Sequence, residues 1–89
     1  MDKIDRRILI LLAQRQKISS QMGRVKQRGG IPFLQPLRKK VVLQSRTVWA
    51  SQQGLPGWFV KPLFKLIMKY SLFVQKKAMK ESLRGKKSK

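Results

Sequence analysis

The sequence contains no cysteine and no histidine, and its only acids are Asp2, Asp5 and Glu81. Without cysteine there is no disulfide and no thiol nucleophile. Without histidine, one chain cannot assemble a Ser-His relay. Three carboxylates are too few for a protein-built metal site or a paired-carboxylate hydrolase, so no metal is expected. Long apolar runs are missing as well. Nowhere do about 18 uncharged apolar residues follow one another, so no segment reads as a spanning helix. The first residues place Asp2, Lys3, Asp5, Arg6 and Arg7 before a short apolar run, with no small-residue cleavage site of the signal-peptide kind. The expected location is the cytoplasm.

What the chain has in excess is positive charge. Lys and Arg number 22 in 89 residues, and the formal net charge is +19. Such a chain repels itself and attracts anions. Nucleic acid, an acidic membrane surface and a small polyanionic substrate all fit that description. Part of the excess is solvated surface, most plainly Gly85-Lys86-Lys87-Ser88-Lys89. Residues 84–89 read as a basic, disordered tail, and residues 1–83 as a single helical domain. A hydrophobic content of 42% supports a folded chain. A helical domain this short buries a limited core, so association would help its stability.

The first segment repeats apolar residues at Ile4, Ile8, Leu11, Ile18, Met22 and Val25. The spacing is that of one helix face, with Arg15 filling the gap in the stripe. Gly29, Gly30 and Pro32 end the helix. Residues 29 to 36 form a loop, and Pro36 suits the first turn of a second helix. That helix carries Leu37, Val41, Val48 and Trp49 on one side and ends at Gly54. A third helix runs from about Pro56 or Lys61 to about Leu83, with Val60, Leu63, Phe64, Ile67, Leu72 and Val74 as its core. Because of Pro62, either the helix starts at Lys61 or it is kinked there, since an interior proline removes a hydrogen bond. The fold class is therefore all-α, three helices with a long first one. Over some 27 residues that helix is roughly 40 Å long, too long for a compact single chain of this size. An intertwined homodimer is the natural cover for its apolar stripe.

Several polar residues sit where apolar ones are expected. A cation on a buried stripe is costly unless paired, and acids are scarce. Asp5 could reach Arg15 only across a dimer, so a bound anion explains Arg15 better. Lys26 lies eleven residues later, close to three turns, and faces nearly the same way. A lysine meeting the C-terminal dipole of its helix is the commoner role for such a residue. Arg38, Lys39 and Lys40 open the second helix, where cations are disfavoured and an anion would resolve the conflict. Ser71 and Gln75 stand one turn apart on an otherwise apolar face. Lys61, Lys65 and Lys69, spaced by four, read as a solvated face; with Trp58 and Phe59 beside them they would also suit phosphate or lipid headgroups. No zinc spacing, aromatic RNA-binding signature or helix-turn-helix is present.

These residues have a common explanation. The run Ile4-Asp5-Arg6-Arg7-Ile8-Leu9-Ile10-Leu11-Leu12-Ala13-Gln14-Arg15 resembles the first-helix motif of the AroQ class of chorismate mutases. Gly23-Arg24-Val25-Lys26 is similar to that family's Gly-x-x-Lys. Pro32 and Arg38 match the loop and second-helix start, and Leu63-Phe64 through Ile67 with Ser71 and Gln75 match the third helix. The resemblance implies an intertwined homodimer and the rearrangement of chorismate to prephenate, a step of aromatic amino acid biosynthesis from the shikimate pathway, without a cofactor. It implies substrate binding by Arg15 and Arg38, with Lys26 and Gln75 flanking the ether oxygen that gains charge and Ser71 adding a polar contact. Two positions depart from the family pattern within this pocket. Lys39 stands where the family usually has Glu, and Gln35 where Asp is common. Pro62 has no counterpart, and the family's cross-chain arginine would fall before Met1. Two alternatives go with these departures: a lyase that cleaves pyruvate from isochorismate, or a degenerate scaffold whose charge binds nucleic acid or acidic membrane non-specifically.

Overall fold

A computed structural model describes the backbone of residues 1–29 and 36–87, and the side chains of these residues except 26–28 and 82–87. Three α-helices account for it: α1 (Asp2–Gly29), α2 (Pro36–Gln52) and α3 (Gly57–Lys87). No strand is found among the described residues. No helix among them is long and apolar enough to cross a membrane.

Each visible terminus has a local cause. Asp2 and Asp5 lie in the first turn of α1, where carboxylates complement the free N–H groups. Pro36 opens α2 at the position where a missing N–H costs nothing. α2 closes on Gly54, whose φ of +78° suits glycine and strains other residues. The Leu55 amide donates to the Ala50 carbonyl at 2.8 Å and the Gly54 amide to Ser51 at 3.0 Å. That pair of bonds is a Schellman cap. The Pro56 carbonyl then accepts the Phe59 and Val60 amides, at 3.2 and 3.1 Å, and α3 begins.

Of the two starts expected for α3, the one near Pro56 holds and the one at Lys61 does not: the helix runs from Gly57, through Pro62, to Lys87, beyond the expected end at Leu83. Pro62 falls in the second turn, where its ring nitrogen cannot donate to the Trp58 carbonyl. The cap from Pro56 and the following run of helix-forming residues hold the helix through it. The backbone of residues 84–87, assigned to the tail by composition, continues α3.

The chain divides into two compact units. The first, Met1–Phe33 with Ser71–Lys89, contains α1 and the later part of α3. Its buried residues include Ser19, Ser71, Val74, Gln75 and Ala78. The expected apolar stripe of α1 is not among them: Ile4, Ile8, Leu11, Ile18, Met22 and Val25 are all exposed in the single chain. α1 meets α3 instead along its line of smaller residues, Ser19 and Gly23, because these let the two backbones come close. The second unit, Leu34–Tyr70, contains α2 and the earlier part of α3. Val42, Ala50 and Val60 are buried in it, whereas Leu37, Val41, Val48 and Trp49 are exposed. The Cβ position of Gly57 on α3 lies 3.5 Å from Thr47 Cγ2 on α2, an ordinary packing distance. Val42 and Ala50 turn inward, and Leu37, Val41, Val48 and Trp49 are left outside. Arg46 lies over the exposed Trp49 ring, 4.6 Å from its centroid.

Candidate anion-binding site

Arg15, Ser19 and Gly23 follow one another at intervals of four along α1, which places them on one line of the helix surface. Ser71 and Gln75 are likewise one turn apart on α3. The two lines meet within the first unit. A Cβ built on Gly23 would lie 2.3 Å from the Gln75 carbonyl oxygen and 2.7 Å from its Cα. Only glycine permits that approach without moving backbone. Eight residues earlier on α1, the half-buried Arg15 guanidinium donates to Ser71 Oγ.

The seam is polar where a helix contact is normally apolar. Among the described residues, the buried polar or charged side chains are Ser19, Ser71 and Gln75, and all three lie in this unit. Buried polar groups cost stability unless bonded, so their gathering beside an arginine has to be explained. A fixed cation flanked by hydroxyls and an amide matches a carboxylate on a polar ligand. The set offers no thiol, imidazole or carboxyl group among these residues. What it can do is hold, orient and stabilise charge.

The structure brings together Arg15, Ser71 and Gln75 of the residues expected from sequence. The backbone of Lys26 continues α1 one turn beyond Met22, but its side chain lies outside the described residues, as does all of Gln35. Arg38 and Lys39 are exposed in the first turn of α2, which contains no acid, and belong to the second unit. Ser19 was not expected. Its signal in the sequence was its place midway between Arg15 and Gly23, a polar residue on the line those two define.

Residues 1–76 match the family described as chorismate mutase type II. The chain belongs to that family. All the site residues named above fall within the match, and the three-helix, strand-free architecture agrees with it. This chorismate mutase family member is 31% identical over 71 residues to the T-protein of Haemophilus influenzae, an alignment covering 80% of this chain and 19% of the relative. It is 32% identical over 71 residues to the T-protein of Enterobacter agglomerans, with the same shares covered. The chain thus spans about a fifth of the length of the curated relatives it matches.

Proposed function

We propose that the chain is a chorismate mutase: it converts chorismate to prephenate, in aromatic amino acid biosynthesis, without a cofactor or covalent intermediate. The observation that carries this is the polar seam of Arg15, Ser71 and Gln75 in a chain of the chorismate mutase type II family. The rearrangement needs no proton shuttle. It needs a flexible dianion held compactly while its ether bond breaks, and charge stabilised where it develops. Arg15 grips one carboxylate, with Ser71 fixing the guanidinium and adding a polar contact. Arg38 binds the second anionic group. Gln75 donates through its amide to the ether oxygen, and Lys26 supplies positive charge there. Lys39 takes the place of the family's Glu, which accepts a hydrogen bond from the substrate hydroxyl, and Gln35 that of an Asp common in the loop. The active form is a homodimer.

The test is direct. Purified protein is mixed with chorismate, and loss of chorismate and appearance of prephenate are followed, with Arg15→Ala as control. Turnover by the wild type and none by Arg15→Ala is expected. No turnover in either would overturn the proposal. A second reading, binding of polyanions by the basic surface, is favoured by the exposure of Lys61, Lys65 and Lys69 along α3. Loss of chorismate turnover together with DNA or acidic-vesicle binding that persists at physiological salt would select it.

A further inference from the structure

The buried hydroxyl of Ser19 has no role in the mechanism above. It is 4% exposed, less than Ser71 or Gln75 at 8% each. Among the described residues the Ser19 hydroxyl finds no hydrogen-bond partner. Other hydroxyls on these helices do: Thr47 Oγ1 donates to the Leu43 carbonyl at 2.7 Å, and Ser45 Oγ to Val42 at 2.9 Å. Returning to a carbonyl one turn back is the usual resting place of a helical hydroxyl. Ser19 does not take it. A buried hydroxyl without a partner destabilises a protein, and alanine at the same position would be the better helix former.

Its position says what the hydroxyl is for. Arg15, one turn before Ser19, reaches Ser71; Gly23, one turn after, abuts Gln75. Ser19 therefore faces the turn of α3 between Ser71 and Gln75, beside the guanidinium. We propose that Ser19 is a substrate-contacting residue, its hydroxyl hydrogen-bonding the anionic group that Arg15 grips. This rests on the chorismate mutase proposal above. A carboxylate has two oxygens and several lone pairs, so it can accept from Arg15 and from Ser19 together. The contact is to a group that is charged before, during and after the rearrangement. It holds the ground state and the transition state alike and acts on KM rather than on kcat.

The experiment compares wild type, Ser19→Ala and Arg15→Ala by steady-state kinetics with chorismate and by thermal unfolding without it. Ser19→Ala should raise KM on the order of tenfold, as for loss of a hydrogen bond to a charged group, and leave kcat within about twofold. It should also raise Tm, by about 2–5 °C, because an unpaired buried hydroxyl is removed from a helix. Ser19→Cys, similar in shape but a weak donor, should fall between the two in KM. A serine with only a structural role gives the opposite pattern, a lower Tm and an unchanged KM. If wild type turns over chorismate and Arg15→Ala does not, but Ser19→Ala keeps the wild-type KM, the Ser19 proposal alone is overturned. If wild type turns over no chorismate, it falls together with the proposed function.

Discussion

Lys39 is the residue at which the proposed chemistry and the family pattern disagree most. It is exposed in the first turn of α2, next to Arg38, in a turn that has no acid. At neutral pH a lysine has three donors and no acceptor, so it cannot take a hydrogen bond from a substrate hydroxyl. Its charge strengthens the hold on carboxylates equally before and during reaction, and uniform binding leaves the chemical step no faster. Lys39→Glu should therefore raise kcat for chorismate by up to roughly a thousandfold, the upper end for one transition-state hydrogen bond. The same change should add about 0.3–1 kcal/mol to stability in urea, since a carboxylate in the first turn complements the helix dipole. A variant that is more stable but slower would mean that Lys39 itself does something for the reaction. Arg15→Ala should abolish turnover in both backgrounds, because no other described cation belongs to the polar seam.

At the scale of the element, the contact of α1 with α3 depends on one missing methyl group. The Gly23→Ala Cβ would meet backbone atoms of Gln75, which cannot swing aside as a side-chain tip can. Helices forced apart in this way lose about 1–3 kcal/mol, against about 1 kcal/mol of helix propensity gained. Urea unfolding should show a net loss of up to roughly 2 kcal/mol, and kcat should fall because Gln75 is pushed away from α1. Pro62→Ala should act the other way. It restores an amide donor to the Trp58 carbonyl inside α3, for a gain of about 1–2 kcal/mol after the greater freedom of the unfolded chain is allowed for. These two positions also mark what could be read from sequence. Glycine and proline delimit helices through backbone geometry alone, so Pro36 and Gly54 were legible as the bounds of α2. The three helices and Arg15 within a stripe were legible for the same local reasons. What was not legible is which face of a helix meets which neighbour. Periodicity weights large apolar residues and marked Ile4, Ile8, Leu11, Ile18, Met22 and Val25 for burial. The actual contact uses Ser19 and Gly23, whose value lies in what they lack. In α2 likewise, Val42 and Ala50 are buried rather than Leu37 and Trp49. Arg15, Ser71 and Gln75 were found because a polar group on an apolar face stands out, and Ser19 was passed over because a serine does not.

For the molecule as a whole, two large terms oppose each other. The row from Ile4 to Val25 is exposed in the single chain, and an exposed apolar row of this kind is the mark of an interaction surface. A second copy would cover it, yet each copy brings a net charge of +19. Hydrophobic contact is short-ranged and little affected by moderate salt, whereas charge repulsion is screened beyond about 10 Å at 0.1 M. Sedimentation should therefore show a species of twice the 10.4 kDa chain mass, and its dissociation constant should fall as salt rises. Binding of DNA or acidic vesicles has the opposite sign, because release of counterions drives it and salt weakens it steeply. One substitution separates the interface from an ordinary exposed row. Leu11 is 62% exposed in the single chain, so Leu11→Asp on a surface without a partner would change stability by no more than about 0.5 kcal/mol. At an interface between copies it places a carboxylate in the apolar contact of each chain. Dimers of such intertwined helices often have no stable folded single chain. Leu11→Asp should then lose the dimer and most of its helical circular dichroism together at micromolar concentration. A variant that sediments as a folded, fully helical monomer and still turns over chorismate would show that the apolar row of α1 is not what holds the active protein together.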